Sequence, residues 1–246
     1  MAGGRTTDES LVVYGVNPVL ELLRSGEPVR RIIVGPGPRR DELIAAARGR
    51  GLAVTQGDRG TLDRLAGGCS HQGVVGVAGP FRYVALEALG HPECGSALVL
   101  DGVQDPRNLG AILRTARAAG VGGVVLPRDR SVGVTSVVVA AAAGALFGLR
   151  IARVTNVVRA MEGLKEKGFW LVGLTPAGGR SIFDFPVPPR PALVVGGEGE
   201  GVRSLVRRSC DFEVSIPMAA GVESLNASVA AGIALYHLLR PTPGSQ

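Results

Sequence analysis

From residue 97 onward, short apolar runs alternate with stretches of helical periodicity, and no other feature constrains the fold as tightly. The runs lie at 97–100, 123–126, 169–174, 192–195 and 213–216. Strands that are apolar throughout need cover on both faces, and the intervening helices supply it. The pattern therefore predicts an α/β domain built on a mostly parallel sheet. In such sheets ligands sit beyond the carboxyl ends of the strands, so the residues just after each run are the ones to read for function.

The part before residue 97 reads as a smaller α/β unit. Asn17-Pro18 predicts an N-cap with proline at the first helical position, opening a helix that runs to Arg24. A strand is expected at 30–34, a helix at 41–50 and further strands at 52–55 and 74–78. Between 81 and 96 the apolar pattern lapses, with His91-Pro92 and Gly95 inside it, which predicts a linker over 83–95. The domains expected are thus 11–82 and 96–241, with a flexible segment at 1–10 and a frayed tail from 241. The uncharged stretch 131–149 approaches spanning length, but Ser131, Thr135, Ser136 and its glycines and alanines favour a buried helix over a membrane span.

Residues 1–10 are polar and no apolar segment of the signal-peptide kind follows, so a cytoplasmic location is expected. Cys69, Cys94 and Cys210 are far apart and form no CxxC pair, which argues against a disulfide framework or a structural metal. The formal charge of +6 suits a polyanionic partner. Only Lys165 and Lys167 are lysines among 27 basic residues, so an arginine-rich coding composition accounts for part of that charge. Arg30, Arg31, Arg39 and Arg40 have no acid between them. They read either as an anion-binding cluster or as a solvated face.

Three post-strand segments carry candidate chemistry. In the first, Asp101 to Thr115, a polar turn leads into a helix beginning near Arg107, with Leu109, Ile112, Leu113 and Ala116 on one face and Arg107 and Arg114 together on the opposite one. Two adjacent guanidiniums fit a phosphate, and an ordinary solvated face fits them as well. In the second, the apolar run ending at Val195 meets Gly196-Gly197-Glu198-Gly199-Glu200-Gly201. Val202 stands where a dinucleotide fingerprint needs its third glycine, and two glutamates would repel a pyrophosphate; an adenosine carrying a cationic sulfonium suits the loop better. In the third, Ile216-Pro217-Met218 leads through Gly221 to Ser224-Leu225-Asn226-Ala227-Ser228. Ser224 is expected to cap a helix to Leu239 whose alanines and Gly232 make it slim enough for close approach.

Taken in order, Asn108-Leu109-Gly110-Ala111-Ile112-x-Arg114-Thr115-Ala116, Gly196-x-Glu198-x-x-Gly201, and Ile216-Pro217-Met218 with Ser224-Leu225-Asn226-x-Ser228-Val229-Ala230 resemble the SpoU (TrmH-like) branch of the SPOUT RNA methyltransferases. Tyr14-Gly15-Val16-Asn17-Pro18-Val19 and His71-Gln72-Gly73-Val74-Val75 resemble the small ribosomal-protein-L30-like domain of the bacterial 23S rRNA guanosine-2′-O-methyltransferase subgroup. The resemblance implies a deep C-terminal trefoil knot, S-adenosylmethionine as cofactor, a homodimer whose second subunit completes each site, and ribose 2′-O-methylation of RNA.

By motif position it implies a catalytic set of Arg114, Asn108, Glu198, Ser224 and Asn226, and a cofactor site of Gly196, Gly197, Glu198, Gly201, Ile216, Met218, Leu225, Asn226 and Ser228. It also implies RNA contacts at Arg30, Arg31, Arg39, Arg40, Arg107 and Arg114. The chain departs from its relatives at 137–147, which is wholly apolar where they often carry basic or acidic residues. Alternatives are a tRNA ribose methyltransferase, a resistance enzyme acting on another rRNA nucleotide, and, in a different class, a non-catalytic RNA-binding relative. A nicotinamide-dependent oxidoreductase is disfavoured by the failed glycine spacing.

Overall fold

The computed structural model describes residues 10–91, 93–176, 179–198, 201–222 and 224–239. The terminal segments expected to be flexible lie largely outside them. Residues 10–82 and Val134–Phe147 form one unit; Tyr83–Gly133 and 148–239 form the other.

In the first unit, β1 (Leu11–Tyr14), β2 (Val29–Val34), β3 (Val54–Gln56) and β4 (Val74–Ala78) make a sheet of order β1-β4-β2-β3. β4 is antiparallel to both β1 and β2, whereas β2 and β3 are parallel. The helices are α1 (Val16–Arg24), α2 (Arg40–Gly49) and α3 (Arg59–Leu65). Helix α1 begins one residue before Asn17 because Gln72 Oε1 accepts the Val16 N–H at 3.0 Å, which leaves Gly15 as the N-cap. Pro18 then sits deeper in the first turn, where its missing N–H still costs no helical bond. Helix α3, for which the apolar periodicity gives no sign, is started by Asp58, whose carboxylate accepts the Thr61 N–H at 2.7 Å.

The second unit is wholly parallel. Its strands are β5 (Ala97–Asp101), β6 (Gly123–Pro127), β7 (Ile151–Val154), β8 (Trp170–Leu174), β9 (Arg180–Ser181), β10 (Pro191–Gly196) and β11 (Phe212–Ser215). They are ordered β7-β6-β5-β10-β8-β11-β9. The helices continue as α4 (Pro106–Ala118), α5 (Ser136–Ala141), α6 (Val157–Glu166), α7 (Ser204–Arg208) and α8 (Ala227–Leu239). Every residue of β5, β6 and β10 is buried, as expected of strands covered on both sides. The five sequence-predicted strands are all present, and the short β7 and β9 are added at the edges. The stretch expected to be a linker is anchored rather than loose among its described residues: Leu89 and Cys94 are fully buried in this unit's core, and Val84 bridges to Ala152 of β7.

The uncharged stretch 131–149 is not one buried helix. Helix α5 has six residues and stops where Ala143 and Gly144 take φ of 50° and 82°. A side chain at Gly144 would come within 2.8 Å of Pro18 Cα, so only glycine fits there. Helix α5 belongs to the first unit, where Ala140 packs against the cluster of Tyr14, Ile33, Leu62, Ala66 and Val75. Of the apolar run at 137–147, Val138, Val139, Ala142 and Leu146 are buried, whereas Val137 is exposed. No helix among the described residues is long and apolar enough to cross a membrane.

Cys210, just after α7, is wedged against Gly173 of β8, and burial pushes its thiol up to about 12. In the unfolded chain the thiol ionises near about 8.5, so this contribution is complete below that pH and is lost as pH rises toward the folded value. The urea midpoint of the wild type should therefore fall more steeply above about pH 8.5 than that of Cys210→Ala. Parallel pH profiles of the two proteins would contradict it.

Candidate active site

The site is built where the chain leaves the adjacent, parallel ends of β5 and β10, and the backbone beyond them makes a close crossing. Gly197 N–H donates to Asp101 O at 2.8 Å, and Gly197 bridges to Gly201. A side chain on Gly196 would overlap the Gly201 carbonyl, and one on Gly197 would overlap the Gly102 carbonyl. These glycines thus serve chain-to-chain contact, whereas the sequence reading gave them to close approach of a ligand. Asp101 locks the crossing. Its carboxylate is completely buried, accepts Arg203 N–H at 3.0 Å and Arg203 Nε–H at 2.9 Å, and is also bonded by Arg203 Nη2. The loop returning from the glycines is thereby pinned to the end of β5.

Behind the crossing lies a cleft of about 300 Å³ walled by Leu174, Thr175, Pro176, Val195, Gly196, Gly197, Glu198, Gly201, Ile216, Met218, Ser224, Leu225, Asn226, Ala227 and Ala230. Of the sequence-predicted cofactor residues only Ser228 is not on this wall. Ser228 instead supports the wall, since its N–H (2.9 Å) and hydroxyl (2.6 Å) both donate to Asn226 Oδ1. Asn226 therefore caps α8, with its carbonyl accepting Ala230 N–H at 2.9 Å. Ser224, expected to be the cap, lies two residues too early because the helix starts at Ala227. Leu174, Thr175 and Pro176 were missed. Leu174 ends β8 and Thr175 and Pro176 follow it, and only the sheet order, which sets β8 beside β10, brings them here.

At the mouth the three segments meet through side chains. Asn108 Nδ2 donates to Glu198 Oε1, Asn226 Nδ2 donates to Asn108 Oδ1 at 3.1 Å, and Asn226 Nδ2 also reaches Glu198 Oε1 at 3.4 Å. Helix α4, capped by Asp105 through Arg107 N–H at 2.7 Å, sends its apolar face of Leu109, Ile112, Leu113 and Ala116 into the core. Its flank packs on α8, where Gly232 faces Thr115. The slim surface of α8, with Ala231 and Ala234 buried, is thus used inside the subunit.

Arg107 and Arg114 are not drawn into the cleft. Both are exposed on α4 and meet no acidic partner among the described residues. In the first unit, Arg30 and Arg31 are both exposed, because a register shift between Val29 and Arg31 breaks the alternation of β2. Arg39 and Arg40 follow the far end of that strand, roughly 13 Å from Arg30 by strand rise, so the four arginines are two groups. Arg39 is also occupied, holding Glu42 at 2.6 and 2.8 Å and Asn17 Oδ1 at 2.8 Å. The hydrogen bonds that Arg39 donates to Glu42 raise the arginine's pKa, and they lower that of Glu42.

Comparison with known proteins fits this geometry. Residues 95–236 match the model of the SpoU rRNA methylase family, and residues 12–84 match the model for RNA 2′-O ribose methyltransferase substrate binding. The chain belongs to the SpoU methylase family. It is similar to an uncharacterized tRNA/rRNA methyltransferase of Mycobacterium tuberculosis, 40% identical over 245 residues that cover 96% of this chain and 76% of the relative. Among solved structures it resembles the AdoMet-bound rRNA methyltransferase of Sinorhizobium meliloti (TM-score 0.81, 29% identity, covering 94% of this chain and 87% of that one). The SpoU methyltransferase AviRb of Streptomyces viridochromogenes with AdoMet is similarly close (TM-score 0.81, 27% identity, covering 96% and 92%).

S-adenosylmethionine is the cofactor of this SpoU methylase, and the cleft is chemically suited to it. Leu174, Val195, Ile216, Met218, Leu225, Ala227 and Ala230 offer apolar surface to an adenine, and Glu198 puts a carboxylate at the mouth for a cationic group. Gly196→Ala should force the crossing apart, lowering Tm and weakening S-adenosylmethionine binding by more than about tenfold, since overpacking by a methyl costs about 1–3 kcal/mol or more. Calorimetric titration giving wild-type affinity would show that the crossing does not shape the cleft.

Proposed function

We propose that this SpoU RNA methyltransferase methylates a ribose 2′-hydroxyl, with a guanosine of 23S rRNA as its target. The observation that carries the reading is the meeting of Asn108, Glu198 and Asn226, one from each post-strand segment, at the mouth of the cofactor cleft. The match of residues 12–84 to a substrate-binding model for RNA 2′-O ribose methyltransferases supports the choice of acceptor atom. The rRNA methyltransferase among the similar structures supports the choice of RNA. On this reading residues 11–82 recruit RNA and the parallel unit does the chemistry in the cytoplasm.

S-adenosylmethionine supplies an electrophilic methyl group on a positively charged sulfur. The protein must hold a ribose oxygen in line with it and favour loss of the hydroxyl proton. Asn108 and Asn226, tied to each other and to Glu198, hold the start of α4 against the start of α8 and fix the mouth. Ser224, on the cleft wall, is available to the nucleotide.

Arg114 is the residue assigned to the acceptor. A guanidinium remains protonated, so it does not act as the base. It binds the phosphate beside the target ribose and stabilises the developing alkoxide, while water or that phosphate takes the proton. Arg107, about two helical turns earlier, gives a second phosphate contact.

Because Arg114 is exposed and off the cleft wall, it acts on a substrate completed by a second subunit, and the enzyme works as a homodimer. Exposed apolar side chains on α8, Val229 and Tyr236, support that assembly. A C-terminal trefoil knot is the topology that the family resemblance implies.

Arg114→Ala should reduce methyl transfer to rRNA by at least about 100-fold, the scale of a lost electrostatic contact in a transition state. Its S-adenosylmethionine affinity should stay within about twofold, since the side chain lies off the cofactor wall. Incorporation of labelled methyl measures the first and calorimetry the second. Near-normal turnover by this variant removes Arg114 from the chemistry, and sequencing of methylated positions in rRNA and tRNA checks the target.

A further inference from the structure

A second cavity opens on the same carboxyl edge of the parallel sheet, outside the cofactor cleft. It has a volume of about 640 Å³, and Tyr83, Arg128, Arg153, Val84 and Leu86 are on its wall. The registers Val194↔Val99, Val99↔Val125 and Val125↔Ala152 carry one level across four strands. Arg128 follows Val125 by the same three residues by which Gly197 follows Val194, so the two sites face the same way. From β10 to β7 is three strand spacings, roughly 14 Å. A single-stranded RNA covers that span with a few nucleotides.

The groups in the cavity are those that grip such a strand. Arg153 lies over the Tyr83 ring at 5.5 Å, and both are tucked under Gly133, where a Cβ would sit 3.1 Å from the tyrosine hydroxyl and 3.2 Å from Arg153 Nη1. Arg153 Nη2 donates to Arg128 O at 3.3 Å, but its Nε is buried with no hydrogen-bond partner among the described residues. A buried guanidinium donor without an acceptor is costly, and a shift of the Arg153 side chain toward an anion in the cavity would relieve it. Arg128 is anchored by its own N–H to Val154 O at 2.8 Å, which leaves an exposed side chain at the rim.

The turn that follows is fastened over β5: Ser131 Oγ donates to Val103 O at 2.9 Å and Val132 N–H to the same oxygen at 3.0 Å. It carries Arg130, also exposed, and a single acid, Asp129, which offsets only one of the three arginine charges. The cavity therefore joins a cationic rim to an aromatic and aliphatic wall. This is the pairing that holds one nucleotide of a single strand, phosphate on arginine and base on a ring.

We propose that this cavity is a flanking-nucleotide subsite. Arg128 and Arg153 take a backbone phosphate a few nucleotides from the methylated ribose, and Tyr83 stacks its base. The inference rests on the RNA reading above, and it makes the parallel unit, as well as residues 11–82, responsible for substrate choice.

The test uses the full-length protein, a fluorescein-labelled single-stranded RNA 20-mer and an rRNA transcript, with Arg128→Ala, Arg153→Lys, Arg153→Ala, Tyr83→Ala and Tyr83→Phe. Calorimetry with S-adenosylmethionine first establishes that each variant keeps the cofactor site. Arg128→Ala and Arg153→Ala should each reduce the salt slope of log Kd for the 20-mer by about 0.7, the value for one lost single-strand phosphate contact. Both should raise the KM for the transcript several-fold with kcat nearly unchanged. Tyr83→Ala should weaken 20-mer binding about tenfold without changing the slope, and Tyr83→Phe and Arg153→Lys should restore most of the loss.

Wild-type slope and KM in both Arg128→Ala and Arg153→Ala, with methylation intact, would overturn the subsite and leave the enzymatic reading standing. Failure of the wild type itself to methylate rRNA or tRNA would overturn the reading beneath it.

Discussion

At Gly102 and Gly197 two stretches of backbone from distant parts of the sequence run so close that no side chain fits between them, and the buried carboxylate of Asp101 binds the loop that results. The cofactor site hangs on that contact. It fixes the end of β10 against the end of β5, which sets where Glu198 stands, and Glu198 is what Asn108 and Asn226 meet. Burying a carboxylate so completely is tolerable only because one arginine meets it with backbone and guanidinium donors together. Truncating Arg203 would leave the buried charge with only that residue's backbone N–H and no counter-charge, and the loop would have to open to solvate it.

The parallel sheet explains why so many recognition groups lie on one edge. All seven strands point the same way, so each one ends on the same side, and each following loop adds residues there. The cofactor cleft occupies the ends of β8, β10 and β11, whereas the arginine cavity occupies the ends of β6 and β7. The interior contributes almost nothing polar to either. Its work is to hold the ends level, through strands whose every residue is buried on both faces.

Much of this was legible in the sequence. The apolar runs gave five strands of the parallel sheet, because a strand covered on both faces leaves a continuous signal. The three post-strand motifs named nearly all of the cleft wall. What escaped has physical causes. Leu174, Thr175 and Pro176 enter the site through sheet order, which periodicity does not encode. Helix α3 is short and rests on one capping aspartate. Arg153 interrupts β7 with a charge that alternation reads as loop. The basic cluster of the first unit looked continuous along the chain, yet the length of β2 separates its pairs and Glu42 engages Arg39. The glycines were noticed for the right property: Gly196, Gly197 and Gly201 stand on the cleft wall, and the absence of a side chain at Gly196 and Gly197 also lets other backbone approach.

The path of residues 134–147 has a further implication. The chain leaves the parallel unit after Gly133, contributes α5 to the sheet side of the first unit and returns at Gly148. The two units are therefore stitched by three covalent passages, one at 82–83 and one at each end of that excursion. Neither half is a module that could be cut out and grafted elsewhere at a single joint. A fragment beginning at Tyr83 would carry an orphaned oily helix, and one ending at Arg82 would lack a piece of its own hydrophobic interior.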